Sequence, residues 1–196
     1  MYPFVRSVCP DYLNTCWQAL GIRFRDARAR NPRYKFIWYA KFQKDESLRR
    51  LLEMTKGHCA FCDGANLGAE SRKTIEHFRP KSEFHTLAYQ WENLYPCCDQ
   101  CQSAKGEDFD EGLLAGDQAG YAFESYFSLD YSSGAILPNP VASDNDQQRA
   151  RITIAFYGLN VEERKIARKR QHKFYQSRPD DMHLDDFSYR FYLTDA

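Results

Sequence analysis

The stretch KTIEHFRPKSEFH, residues 73–85, lies between CAFC at 59–62 and CDQC at 98–101. Two Cys-x2-Cys pairs supply four thiolates, and a closed tetrahedral shell of soft sulfur is what Zn²⁺ takes when its role is structural. Cys59, Cys62, Cys98 and Cys101 are therefore expected to hold one zinc ion and to leave no position for water. Cys97 competes for the role, but only Cys98 keeps two residues before Cys101. Inside this clip stand Glu76, a hard oxygen ligand suited to Mg²⁺ or Mn²⁺, and His77, a base whose ordinary pKa of about 6.5 lets it take a proton from water near neutral pH. Consecutive residues of a strand face opposite sides. A bend, such as Pro80 imposes, is needed to turn both toward one phosphate. Taken alone, the dipeptide reads more readily as a solvated or core-satisfied pair.

The remaining composition limits what surrounds this segment. With 196 residues, 43% of them hydrophobic and 15% aromatic, the chain is expected to form one compact domain over 1–196 rather than a disordered tail. No apolar run reaches membrane-spanning length, and the opening MYPFVRSVCPDYLN lacks a signal peptide's apolar segment, so a soluble cytoplasmic protein with no membrane partner is expected. Seven cysteines, an odd number, disfavour a disulfide framework in such a compartment.

The net charge is zero but unevenly spread. Residues 21–50 hold ten Lys/Arg against three acids, 161–178 hold seven against two, and 106–117 carry five acids. Basic blocks of this kind suit a phosphate backbone, or are merely solvated helix faces.

Apolar spacing predicts a helix over 11–31 stopped by Asn31-Pro32, and a second over 45–57, capped by Asp45 or Ser47 and ended by Gly57. The segments 73–78 and 93–98 are expected as two short strands, followed by a helical turn ending at Gly106. Beyond it, a hairpin around Ser132-Ser133-Gly134 precedes two helices, the later one capped by Asn160. The expected organisation is N-terminal helices over 1–57, a zinc-centred core over 58–106, and a hairpin with helices over 107–196. The helices over 11–30 and 146–176 lie outside the zinc core and are the natural faces for a partner.

The order CAFC, IEHFRPKS, ENLYPCCDQCQSAKG resembles the HNH nuclease motif, in which an acid-His pair follows a first CxxC and an Asn-Leu precedes a second CxxC. The resemblance implies an α+β fold, a ββα-metal core with a four-cysteine zinc site embedded in flanking helices. It further implies metal-dependent phosphodiester hydrolysis, with His77 as general base, Glu76 as a ligand of catalytic Mg²⁺ or Mn²⁺, and Asn93 orienting His77. Gln102 stands where the family usually has a second metal-ligating Asn, and its longer side chain leaves Asp99 and His85 open as alternative ligands. Arg79, Lys81, His85 and Lys105 are placed to contact phosphates, with Lys105 equally able to complement the helix dipole.

The segments FRPKS and WENLYPCC and the later ARITIAFYGLN with its basic helix are similar to PtuB-type HNH proteins of Septu and retron anti-phage systems. That resemblance implies a nuclease effector acting beside a PtuA-type ATPase, on DNA before RNA, with tRNA as the alternative substrate. A zinc scaffold that binds without catalysis is the reading from another class, and Gln102 favours it. Thiol chemistry at Cys97 is a third, without a partner His in view.

Overall fold

The computed structural model describes residues 1–38 and 41–193. At its centre β1 (Lys73–His77) pairs antiparallel with β2 (Leu94–Cys98), in a register that sets Glu76 opposite Tyr95 and His77 opposite Leu94. All five residues of β2 are buried, as the run LYPCC suggests for a strand covered on both faces. Pro96 fits because a residue's N–H and C=O point to the same side of an antiparallel strand. The Pro96 carbonyl accepts from Ala60 N at 2.9 Å, away from β1, so the missing N–H costs the ladder nothing. α4 (Asp99–Lys105) follows β2 without a loop and ends at Gly106, whose φ is 58°.

Two apolar clusters sandwich this ribbon. One gathers Leu13, Phe24, Leu51, Ile75, Trp91 and Leu94; the other gathers Phe61, Tyr95, Leu114, Phe127, Tyr157 and Phe191. The first is built by α1 (Asp11–Asn14), α2 (Trp17–Arg30) and α3 (Lys41–Met54). The helix expected over 11–31 is thus broken. Thr15 Oγ1 donates to Asp11 O and Cys16 Sγ to Tyr12 O, side-chain bonds that compete with the helical ladder. Its stop is as expected, with Asn31 extended before Pro32. α3 starts upstream of Asp45, so neither Asp45 nor Ser47 caps it. It closes with Lys56 N on Glu53 O and Gly57 N on Leu52 O, the paired bonds of a Schellman end. Gly21 lets α2 touch the turn at His85–Leu87, since a Cβ there would lie 2.2 Å from Thr86 O.

The C-terminal half forms the other wall. α5 (Phe123–Tyr126) leads into β3 (Phe127–Asp130), which returns through the Ser132-Ser133-Gly134 turn to β4 (Ala135–Pro138). α6 (Asp144–Phe156) is capped by Ser143, whose hydroxyl accepts from Asp146 N. α7 (Glu162–Gln176) begins after Val161. Asn160, expected to cap it, instead bonds the Ile136 N–H and C=O at 2.9 and 2.7 Å and so ties the hairpin to the helix.

The basic block of α7 is not all surface. Arg168 is 1% exposed and donates to Gly134 O, Leu159 O and Asn160 Oδ1. A second buried cation, Arg190, grips Asp63 with side chains only 4% and 2% exposed, while Arg190 N donates to Asp63 Oδ2 at 2.6 Å. Removing one partner of such a pair leaves a buried charge uncompensated. Arg190→Met should therefore lose about 3–5 kcal/mol in chemical denaturation, and adding Asp63→Asn should recover part of that loss.

Candidate metal centre and catalytic pocket

The four expected zinc ligands converge. Their sulfur atoms all lie within 4.8 Å of one another, and this is the one such group found among the described residues. The first pair sits on a turn closed by Cys59 N to Gly64 O and Asp63 N to Cys59 O, with Asp63 left-handed at φ 60°. The second pair uses the strand-to-helix corner. Cys98 ends β2 and caps α4, its Sγ accepting from Cys101 N at 3.3 Å. Zn–S bonds of about 2.3 Å put tetrahedral sulfurs about 3.8 Å apart, and Cys62 Sγ to Cys98 Sγ is 3.7 Å. The donor set therefore fits a structural zinc ion. Arg164 of α7 donates to Cys101 Sγ at 3.1 Å and brings positive charge to a centre that four thiolates make negative. Cys97 points elsewhere, onto Cys98 O, and burial raises its thiol pKa, the opposite of what a nucleophile needs.

Glu76 and His77 share a cavity of about 280 Å³ with Pro80, Lys81, Gln102, Gly106 and Glu107. Both are buried, at 4% and 6% exposure, although they alternate along β1. His77 is the last residue of that strand, and the chain turns at once into Arg79-Pro80, so the cavity opens over the strand end. Its Nε2 lies 2.9 Å from Ala88 O. A carbonyl only accepts, so Nε2 carries the hydrogen and the lone pair is on Nδ1. Burial, with Lys81 nearby, lowers the imidazole pKa to about 3.

Asn93 bonds the backbone of the loop that follows this ring. Its Oδ1 accepts from Arg79 N at 2.7 Å, and its Nδ2 donates to Arg79 O and Leu87 O at 3.0 and 3.1 Å. It thereby pins both ends of the 79–87 loop, next to the carbonyl on which His77 hangs.

The cation found at Glu76 is Lys105. Its ammonium, wholly buried, lies 2.9 Å from Glu76 Oε1 and 3.1 Å from His77 O. Lys105 thus faces inward, away from the surface where a phosphate contact was expected. Burial nonetheless holds the Glu76 carboxyl above its usual range. Gln102 Nε2 donates to Ile75 O at 3.0 Å. Glu76 and Gln102, the expected ligands of a hard divalent ion, line the same cavity, without a cluster of three or more His, Cys, Asp or Glu side chains there among the described residues. Asp99 is turned to Arg72 at 3.3 Å, and His85 packs on Phe24, ring centroids 5.6 Å apart, outside the cavity lining. Arg79 makes a two-pronged pair with Glu111 at 2.8 and 2.7 Å, and Lys81 meets Glu107 at 3.3 Å. Two features lay beyond the sequence reading: the Lys105–Glu76 pair and the guanidinium of Arg164 on the thiolates. The four-residue interval between Arg164 and Arg168, which puts two arginines on one face of α7, is the only local sign of the latter.

No protein-family model matches the chain. Among curated proteins it is similar to the Septu protein PtuB of Bacillus thuringiensis, 40% identical over 57 residues that make up 29% of this chain and 22% of the relative. It is likewise similar to the Septu protein PtuB of Bacillus mycoides (strain KBAB4), 31% identical over 80 residues, covering 34% of this chain and 27% of that protein. The matches thus span roughly a quarter of the length of these curated relatives. No helix among the described residues is long and apolar enough to cross a membrane.

Two outcomes are expected. Chelation of the metal by a strong zinc ligand should lower the melting temperature sharply, because the thiolate cluster joins the two halves of the core. In NMR, the His77 ring should keep its Nε2–H tautomer from pH 8 down to pH 5, since its pKa is lowered to about 3. The sign for stability follows: an unfolded His takes up a proton below about 6.5, the folded one does not until far lower, so this ring's contribution is lost as pH falls from about 6.5 toward 3.

Proposed function

We propose that this chain, homologous over part of its length to Septu PtuB proteins, is an HNH-type nuclease whose β1–β2–α4 unit serves as a ββα-metal core. One observation carries the proposal: a neutral imidazole with its Nδ1 lone pair available shares a small cavity with a carboxylate, on a ribbon fixed by a four-thiolate site. A structural thiolate site has no use for that pairing, whereas one-metal hydrolysis of a phosphodiester can use it as general base and cation ligand.

In this mechanism His77 takes a proton at Nδ1 from the attacking water, and the Ala88 carbonyl keeps the ring in the tautomer that permits it. Asn93 positions the loop that supplies that carbonyl. Lys81, which lines the cavity, and Arg79, two residues after His77, hold flanking phosphates once Glu107 and Glu111 release them. A divalent cation bound by Glu76 and Gln102 would supply charge for the phosphate oxygens and the departing 3′ oxygen. The substrate is proposed to be DNA before RNA, and the setting an anti-phage defence complex with a PtuA-type ATPase. One feature favours the alternative of a non-catalytic zinc scaffold: Lys105 already neutralises Glu76.

The test is nicking of supercoiled plasmid, and of total tRNA, by the zinc-loaded protein with Mg²⁺ or Mn²⁺, alone and with the ATPase. His77→Ala should retain zinc and lose about 10²–10⁴ in rate. Equal cutting by both proteins would sink the assignment of His77, and silence of both with the ATPase present would favour the scaffold.

A further inference from the structure

A second cavity, of about 340 Å³, adjoins the one that holds His77 and shares Lys81 and Glu107 with it. It lies between the C-terminal end of α2 and residues 33–36. Three aromatic rings line it, Phe24, Tyr34 and Phe36. They form a continuous wall that reaches the catalytic base: Phe24 meets Tyr34 at 6.3 Å and Phe36 at 5.5 Å, and Phe36 stands edge-on to the His77 ring at 5.2 Å.

Its charge is one-sided. Arg28, Arg33, Lys35 and Lys81 face a single carboxylate, Glu107, which is held by Lys81 and Ser82. Arg33 and Lys35 are exposed, and no ion pair joins either to a carboxylate among the described residues. Arg28 steadies the segment through Tyr34 O at 3.2 Å. Aromatic faces beside unpaired cations suit a chain that offers bases and phosphates together. In a duplex the base faces are covered by stacking, so only an unpaired base presents one.

We infer that this cleft is a nucleotide subsite, which takes the unpaired nucleotide beside the scissile phosphate, its base against Tyr34 and Phe36 and its phosphates on Arg33, Lys35 and Lys81. The inference deepens the nuclease reading and rests on it for the word scissile. The basic block at 21–50 then has a defined task at its centre. Glu107, between the two cavities, acts as a placeholder for a phosphate.

The experiment is fluorescence anisotropy of the full zinc-loaded chain with labelled oligothymidylate, oligouridylate and a DNA duplex, across a salt series. Tyr34→Ala should weaken single-strand binding roughly fivefold to a hundredfold, leave duplex binding and the salt slope as they are, and be restored by Tyr34→Trp. The double variant Arg33→Gln/Lys35→Gln should lower the slope of log K against log salt by about 1.4, two single-strand phosphate contacts' worth. Glu107→Gln should tighten binding. Preference between the two oligonucleotides reports the sugar.

If the Tyr34 and Arg33/Lys35 variants bind like wild type, the subsite is overturned, while nicking by wild type but not His77→Ala still upholds the nuclease. Absence of any single-strand binding by wild type at low salt also overturns it. If the variants lose binding but no metal or ATPase elicits cutting, the subsite stands and the nuclease reading fails.

Discussion

Four thiolates drawn to one point set the geometry of everything else. The ligands come from two places that have no other strong reason to meet: a left-handed turn after α3, and the corner where β2 becomes α4. Bringing them together fixes the end of β2 and hence the register of β1. That register carries Glu76 and His77 to the strand end above α4. Three longer-range contacts then seat the C-terminal half on the same point: Arg164 on Cys101, Arg190 on Asp63, and Phe187 O against the His58 ring at 3.1 Å. The metal centre does no chemistry in this arrangement, yet it determines whether the cavity above it has a shape.

That cavity is held together by opposed electrostatic demands. Burial disfavours charge on both His77 and Glu76. For the imidazole this keeps the ring neutral and weakly basic. For the carboxylate it is a cost, offset by the Lys105 ammonium in the position a ligand of Glu76 would take. A buried ion pair gives little net stability but is sensitive to losing either partner. The pair therefore keeps the carboxylate aimed at the cavity.

The parts visible in the sequence were those whose physics is local. Cysteine spacing announces a metal site because the ligand turn needs few residues. Pro32 and Gly106 mark ends because their backbone preferences do not depend on neighbours, and the Ser132-Ser133-Gly134 turn was legible for the same reason. What escaped depends on distant packing. Nothing around Lys105 says that it turns inward to a glutamate 29 residues earlier. The basic composition of α7 reads as solvated until Arg164 and Arg168 are found facing carbonyls and sulfur. Asn160 had a plausible cap to make, but the unpaired Ile136 backbone offered two bonds instead of one. The Glu-His pair was visible as a motif, whereas the Asn93 bonds that organise its loop emerge only once residues 79–93 are folded.

The guanidinium on the thiolates also orders events during synthesis. Arg164 lies 63 residues beyond the last ligand, Cys101, so at about 5–20 residues per second the ribosome delivers it roughly 3–13 s later. Through that interval all four sulfur ligands have been made but the helix that covers them has not. Metal capture therefore has a head start over enclosure.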